Sequence, residues 1–207
     1  LYIMGHIPVS EINDVEIITF EESRKIKVDS LNYDRDKWIY YPDYYFEYRY
    51  ILGSVGSNPI IVIGINPSTA EPTKLDNTIK SVKRLSAYNG YDSYIMCNVY
   101  AQRATEPSDM DKYLNEKLHQ ENIKAYRWLF ENFKAAPTIW AAWGTNIERR
   151  SYLKSCLKDI VDLSKAYNSR WVSAGKILKK GHPHHPLYLP NGTEFKDFDI
   201  NEYIEKL

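Results

Sequence analysis

The run Ile60-Ile61-Val62-Ile63 constrains the fold more than any other part of the sequence. Four consecutive β-branched residues without polar alternation are typical of a strand that is covered on both faces in a parallel sheet. The run stops at Gly64, and a helical pattern follows in which Ile79, Val82 and Leu85 recur every three residues. A strand, a loop and a helix in this order are the first half of a βαβ unit.

The alternation of apolar strands with amphipathic helices continues along the chain. Further buried strands are predicted at 94–100, 138–143 and 170–172, and helices at 108–133 and 147–163. Consecutive strands joined through helices pair in parallel, with helices on both faces of the sheet. The sequence therefore predicts a three-layer α/β/α fold around a central, mostly parallel sheet of four strands.

The N-terminal part of the chain has a different pattern. Residues 1–45 are expected to form a β-rich extension, in which 15–20 and 25–28 are predicted to pair as a small hairpin. Residues 46–207 are expected to form the α/β/α domain, beginning with a half-buried strand at 46–52. Extension and domain are predicted to make one compact unit.

Composition limits the classes of function. Lys plus Arg and Asp plus Glu number 27 each, and this zero net charge argues against tight non-specific binding of long duplexes. The two cysteines, Cys97 and Cys156, lie in apolar or helical patterns, which predicts reduced, buried thiols in a cytoplasmic protein. No membrane span and no export signal are expected. The tyrosine-rich stretch from Tyr33 to Tyr50 favours an interaction surface or a lid over a pocket.

Polar residues follow each predicted core strand, at the edge where ligands bind in open α/β sheets. These residues are Asn66 and Ser68 after the first strand, Asn98 and Arg103 after the second, Trp143 after the third, and His182, His184 and His185 after the fourth. Because the carboxyl ends of parallel strands meet at one edge, we expect these side chains to surround a shared pocket.

Most of these residues have an alternative structural role. The amide of Asn98 can read a base edge through one donor and one acceptor, or it can cap the strand end. Arg103, with Arg49, is a candidate phosphate or carboxylate clamp, although arginines more often form solvated ion pairs. Asp76 is a candidate base or the N-cap of the following helix, and Trp143 either stacks on a base or packs at the rim of the core.

The three histidines also raise the question of a metal site. Imidazoles bind zinc, but the interleaved prolines restrict their convergence, and no cysteine or carboxylate stands beside them. We therefore predict no metal and no cofactor.

The same strand ends carry a family resemblance. The segment 61–67 reads Ile-Val-Ile-Gly-Ile-Asn-Pro and resembles the first motif of the uracil-DNA glycosylase superfamily. His182-Pro183 and Pro186-Leu187 resemble the second motif, His-Pro-Ser-Pro-Leu. Asn98 closes a buried strand, as the base-reading Asn of that superfamily does, and 142–144 resembles its strand-ending Trp-Gly.

A second resemblance covers about residues 46 to 190 in unbroken order. It is a resemblance to the bacterial domain-of-unknown-function family 1643. The segments that carry it are Tyr48-Arg49-Tyr50, Asn66-Pro67-Ser68-Thr69-Ala70, Asp76-Asn77-Thr78, Arg103-Ala104-Thr105 and 181–187.

The glycosylase resemblance implies a function and assigns roles. Asn66 would hold the attacking water near the sugar carbon, and His182 would donate a hydrogen bond to the departing base. The other predicted contacts to substrate are Gly64, Ile65, Pro67, Ser68, Asp76, Asn98, Arg103, Trp143, His184 and His185. The expected ligand is a nucleobase-containing small molecule, or a nucleic acid that is single-stranded or presents a flipped base, and the expected reaction is hydrolysis of the N-glycosidic bond.

The sequence also departs from the glycosylase motifs. The first motif lacks an acidic residue to activate water, the histidine loop has one extra residue, and the Ser of the second motif is replaced. A non-catalytic nucleotide-binding or interaction domain is therefore the alternative, because fold is retained across such changes more readily than function.

Overall fold

The computed structural model describes residues 5–8, 15–29, 33–133 and 135–207. Within these residues, seven strands form one mixed sheet in the order β1-β2-β4-β3-β5-β6-β7. The strands are β1 (Trp38–Tyr41), β2 (Ile51–Ser54), β3 (Pro59–Gly64), β4 (Ser93–Asn98), β5 (Thr138–Ala141), β6 (Arg170–Ala174) and β7 (Phe195–Asp197). The pairs β3–β4, β3–β5 and β5–β6 are parallel, whereas β1–β2, β2–β4 and β6–β7 are antiparallel.

Helices pack on both faces of this sheet. The described α-helices are α1 (Phe20–Lys25), α2 (Asn77–Tyr88), α3 (Glu116–Glu131), α4 (Tyr152–Lys165) and α5 (Ile200–Lys206). Alternate residues of a strand point to opposite faces, so Ile60 and Val62 of β3 join the core under α2, while Ile61 and Ile63 join the core under α3 and α4. We call these the α2 face and the α3 face.

The α/β class and the four central parallel strands agree with the sequence, but the predicted total of four strands was wrong. The missed strands lie at the edges, where one face or one side of a strand remains in contact with solvent. In β7, for example, Lys196 and Asp197 are exposed, so no continuous apolar run marks the strand. Edge strands of three or four residues carry too little pattern to be recognised from sequence.

The predicted hairpin at 15–20 and 25–28 is also wrong. Residues 20–25 form α1, and none of the described residues in 15–28 belongs to a strand. A capping box starts the helix: the hydroxyl of Thr19 accepts from the backbone N–H of Glu22, whose carboxylate accepts from the backbone N–H of Thr19. The Thr-x-x-Glu spacing is the sequence signal for this start.

Three element boundaries differ from the prediction. The strand expected at 46–52 begins only at Ile51. The helix expected at 108–133 begins at Glu116, because the side chain of Asn115 accepts from the backbone N–H of Leu118 and caps the helix there. The helix expected at 147–163 is divided into a 3-10 turn and α4. The domain boundary at residue 45 stays a prediction, although β1 from the expected extension pairs with β2.

The expectations about cysteines and membranes can also be compared with the structure. Cys97 and Cys156 are buried free thiols, as predicted, and burial raises the pKa of each to about 12. In the part of the chain that the structure describes, no helix combines the length and the apolar character needed to cross a bilayer.

Candidate functional site

The carboxyl ends of the two central strands place an unsatisfied amide in the protein interior. Gly64 and Asn98 are register partners at the ends of β3 and β4. The Asn98 side chain is 1% exposed, and neither its Nδ2 nor its Oδ1 has a hydrogen-bond partner among the described residues. A Cβ on Gly64 would lie 2.7 Å from Cε of Met96 and 3.2 Å from that Oδ1, so a side chain at this position would clash with Met96. Burying an amide without hydrogen-bond partners costs free energy. Both the donor and the acceptor of Asn98 remain available to a bound molecule.

Two buried arginines lie near the carboxyl end of β4. Arg49 and Arg103 are 2% and 0% exposed, and each donates from Nη1 to the carbonyl oxygen of Ala70 at 3.2 Å. Arg103 also donates to the hydroxyl of Tyr40 and to the carbonyl of Ser68, and the Nε of each arginine has no described partner. Burial, and then the charge of Arg103, lowers the pKa of Arg49 to about 10. Arg49 therefore remains a cation at neutral pH.

The histidine loop divides between the two faces of the sheet. His182 lies on the α3 face, where its Nδ1 is 2.8 Å from the hydroxyl of Tyr203 and its Nε2 is 3.1 Å from Oε1 of Glu148. The indole Nε1 of Trp143 donates to the same Tyr203 hydroxyl at 2.9 Å, and Lys180 pairs with Glu148 at 2.7 Å. We call this set the Tyr203 chain. Its polar atoms are paired with one another.

His185 lies instead at the end of β5, on the α2 face. A Cβ on Gly144 would lie 3.3 Å from the Cβ of His185. Burial, and then the neighbouring His184, lowers the pKa of His185, so the ring is neutral at neutral pH. The backbone N–H of Leu187 donates to Nδ1, and the proton of the neutral ring is therefore on Nε2. His184 donates from its own Nδ1 to the carbonyl of His185.

Asp76 connects these groups electrostatically. Its carboxylate Oδ1 accepts from the backbone N–H of Ile79 at 2.9 Å, so it is the N-cap of α2. Burial lowers the pKa of Arg49 and of His185, and the negative charge of Asp76 partly offsets this lowering at both groups. The structure shows the capping alternative, and the same carboxylate lies close to Arg49 and His185; a role of Asp76 as a base stays a prediction.

The Gly64–Asn66 loop is held against the segment that follows β4. Nδ2 of Asn66 donates to the carbonyls of Pro67 and Ala104 at 3.0 and 2.8 Å. The carbonyl of Ile65 accepts from the backbone N–H of Tyr100 at 2.9 Å. Oδ1 of Asn66 accepts no hydrogen bond from a described residue, so the amide is fixed with its acceptor unused.

A groove opens beside these residues at the N-terminal end of α2. Its volume is about 770 Å³, within the range of small-molecule sites. Residues that line it include Tyr45, Ser68, Thr69, Glu71, Asp76 and Thr78. We call it the α2 groove.

The structure thus brings together only part of the predicted set. The residues that lie on the α2 face, which we call the Asn98 cluster, are Asn98, Arg49, Arg103, Asp76 and His185. His182 and Trp143 belong to the Tyr203 chain on the α3 face, and Trp143 is fully buried there. Among the described residues no group of three or more His, Cys, Asp or Glu side chains could hold a metal ion.

The burial of Arg49 is only weakly indicated by the sequence. It lies between Tyr48 and Tyr50, both of which pack on the α3 face, so the alternation places Arg49 on the opposite face. That alternation does not reveal whether the α2 face is covered at this point. The 68–70 loop covers it, and the carbonyl of Ala70 provides the contact to the guanidinium.

Comparison with known proteins gave one match. The family model described as "Protein of unknown function (DUF1643)" matches residues 49–187. No curated protein and no solved structure matches the chain. The matched segment contains all five residues of the Asn98 cluster.

Proposed function

The chain belongs to the DUF1643 family of proteins of unknown function, and on that premise we propose that it recognises a nucleobase at the Asn98 cluster. The base belongs to a nucleotide, or to a nucleic acid that presents it unpaired. The observation that carries this proposal is the side chain of Asn98, whose amide is buried with both polar atoms unpartnered.

An unpartnered amide has a specific complement. Nδ2 donates and Oδ1 accepts, side by side on the same carbon. This pair matches a base edge that has a carbonyl beside an N–H, as in uracil or guanine. Gly64, the register partner of Asn98, lies against Cε of Met96 and the amide of Asn98, so a ligand reaches the amide once the Met96 side chain moves. A ligand that satisfies both atoms recovers the free energy that burial of the amide costs, which makes the interaction selective.

His185 is a suitable second contact to the base. Its Nε2–H has no partner among the described residues, while Nδ1 is held by Leu187. A neutral imidazole donates to a base oxygen without carrying a charge into a buried site. As the bond to the sugar breaks, negative charge grows on that oxygen and the hydrogen bond strengthens, which stabilises the transition state.

Hydrolysis of the N-glycosidic bond is the proposed reaction. Asn66 is fixed by two backbone carbonyls with Oδ1 unused, which suits it to orient a water molecule. The water oxygen bonds to the anomeric carbon of the sugar as the carbon–nitrogen bond breaks. Its hydroxyl stays on the sugar, and its proton balances the charge on the released base. The resemblance of segment 61–67 to the first glycosylase motif supports this role.

A specific observation favours a second candidate, a nucleotide-binding domain without catalysis. His182, which the glycosylase resemblance assigns to the departing base, has both ring nitrogens engaged by Tyr203 and Glu148. If His185 does not replace it, the site binds a base without cleaving the bond.

One experiment tests both candidates. The protein is incubated with a panel of nucleosides, nucleoside monophosphates and single-stranded oligonucleotides with natural or deaminated bases, and binding is measured by calorimetry and released base by mass spectrometry. We expect binding to be about 10- to 100-fold weaker in Asn98→Leu, and release to be lost in Asn66→Ala with binding retained. Binding without release across the panel selects the non-catalytic candidate. Absence of binding to every member contradicts base recognition.

A further inference from the structure

The two arginines of the Asn98 cluster lack the partners that buried cations normally have. The ion pairs of arginine in the described part of the chain involve Arg24, Arg35 and Arg170. Arg49 and Arg103 pair with no described carboxylate, although they share one carbonyl oxygen as acceptor. Two like charges that are buried side by side repel each other and have lost their hydration, so the ligand-free arrangement is costly.

A purely structural role explains Arg103 better than Arg49. Arginines that hold loops saturate their donors with backbone carbonyls, as Arg150 does with Ser108, Met110 and Asp111. Arg103 makes three hydrogen bonds, two to backbone carbonyls and one to a hydroxyl. Arg49 makes one, and it is shared, because the carbonyl of Ala70 retains Arg103 as donor when Arg49 is removed. Nε of Arg49 has no described partner, and its one hydrogen bond is shared with Arg103.

The α2 groove lies next to Arg103, although neither arginine is among the residues that line it. The guanidinium of Arg103 lies 4.1 Å from the ring centroid of Tyr45, which lines the groove, and it bonds the carbonyl of Ser68, which lines it as well. The first turn of the 12-residue helix α2 also faces the groove through Asn77 and Thr78, with its positive dipole end.

We infer that Arg49 and Arg103 form a binding site for a phosphate monoester, so that the ligand of this protein is a phosphorylated nucleotide rather than a free base or nucleoside. The base part of this statement rests on the proposed function, while the anion site stands on the arginine pair. Guanidinium groups match phosphate oxygens in fork geometry, and two of them balance a dianion. The backbone N–H of Arg49 donates to the carbonyl of Ala101 at 2.9 Å, three residues after Asn98, so the phosphate and base contacts are near each other.

Binding by matched ligands tests the inference. Calorimetry compares inorganic phosphate, a nucleoside, its 5′-monophosphate, and an oligonucleotide with and without a 5′-phosphate, using the base that binds best. We expect the phosphorylated ligands to bind about 10- to 100-fold more tightly than their unphosphorylated forms, because hydrogen bonds to charged groups contribute about 1.5–3 kcal/mol each. The two phosphorylated ligands distinguish a free nucleotide from a nucleic-acid end.

Thermal unfolding of Arg49→Met supplies a second measurement that does not depend on the base. Removing one of two uncompensated charges is expected to raise the unfolding midpoint of the ligand-free variant by about 3 °C. Inorganic phosphate is expected to stabilise the wild type relative to chloride at equal ionic strength, and to leave Arg49→Met unaffected. Arg150→Met is the matched control: it loses backbone hydrogen bonds, so its midpoint falls while its response to phosphate remains.

The outcomes separate the two proposals. If phosphate stabilises the wild type, but Asn98→Leu binds each nucleoside and nucleotide as tightly as the wild type does, the anion site stands and base recognition fails. If a nucleoside and its monophosphate bind equally, base recognition stands and the anion site is wrong. A fall in the midpoint of Arg49→Met, with no response of the wild type to phosphate, identifies a structural clamp and overturns the inference.

Discussion

The Tyr203 chain and the Asn98 cluster lie at the same edge of the sheet but on opposite faces, and they differ in how their polar groups are satisfied. In the Tyr203 chain, hydrogen bonds run from Trp143 through Tyr203 and His182 to Glu148, and each group has a partner. In the Asn98 cluster, a buried amide and two buried guanidinium groups retain unpaired atoms.

Hydrogen-bond satisfaction separates structural from functional polar residues in these two regions. A buried polar group that is fully paired contributes to stability, and its removal leaves partners unsatisfied. A buried polar group without partners costs stability, which is acceptable where a ligand supplies the missing partner. Proximity to a strand end therefore does not identify a functional residue unless a donor or acceptor remains free.

The largest effect is expected at Asn98. We predict that Asn98→Leu weakens binding of the nucleotide about 10- to 100-fold, since a bidentate amide contact contributes about 1–3 kcal/mol. The same variant is expected to raise the free energy of unfolding without ligand by about 1 kcal/mol, because two unpaired buried atoms disappear. Calorimetry and urea denaturation measure the two effects.

Asn89 provides the matched control for this prediction. Its amide donates to Leu85 and Thr193 and accepts from Phe195, so it is fully paired. Asn89→Leu is expected to lower the free energy of unfolding and to leave the dissociation constant unchanged. If Asn98→Leu behaves like Asn89→Leu, the contrast between paired and unpaired amides has no functional meaning.

The second prediction concerns the Tyr203 chain. Tyr203→Phe removes the hydroxyl that Trp143 and His182 share, leaving two buried groups without partners. We expect the free energy of unfolding to fall by about 2 kcal/mol in chemical denaturation, with unchanged affinity for nucleotide. A loss of binding or of base release in this variant, at equal stability, would return His182 to the catalytic role that the glycosylase motif assigns to it.

A smaller effect separates the two roles of Asp76. Asp76→Ala removes the N-cap of α2 and is expected to cost about 1 kcal/mol of stability, whereas Asp76→Asn keeps the cap and changes stability by less than about 0.5 kcal/mol. Because Asp76→Asn also removes a negative charge near Arg49, it is expected to strengthen phosphate binding. Equal phosphate affinity in wild type and Asp76→Asn would place Asp76 outside the cluster.

The smallest effect is the pH dependence from His185. Burial lowers the pKa of His185 in the folded protein below its ordinary value of 6.5, so below pH 6.5 the unfolded chain takes up a proton that the folded protein resists. Stability from this group is complete above pH 6.5 and is lost as the pH falls, by less than about 1.4 kcal/mol per pH unit. Denaturation at pH 7.5 and 5.0 should show a smaller fall in His185→Gln than in wild type. Equal falls would mean that the ring is not buried in a neutral form.

The sequence predicted the central elements because their patterns are local. The β-branched run at 60–63 and the helix that ends at Asn89-Gly90 match β3 and α2 closely. The capping box at Thr19 lies in a segment whose apolar pattern predicts a hairpin, and β7 has Phe195 as its sole apolar residue, so neither α1 nor β7 is predicted by local periodicity. Edge strands depend on neighbours that are distant in sequence, which local periodicity does not describe.

The sequence predicted where the candidate residues lie relative to the strands, but it did not predict their hydrogen-bond partners. The sequence placed both His182 and His185 after the same strand, yet it did not reveal that Tyr203, from a helix that was not predicted, binds the first of them. Burial of Arg49 depends on the 68–70 loop, which is also a tertiary feature. Whether a polar atom is satisfied is a property of the folded chain.

A crystal structure of the protein with the tightest-binding nucleoside monophosphate would show whether Asn98 contacts the base. We predict that the base edge lies within hydrogen-bond distance of both Nδ2 and Oδ1 of Asn98, with the phosphate on Arg49. A ligand bound elsewhere, with the amide of Asn98 still without a partner, would contradict the account.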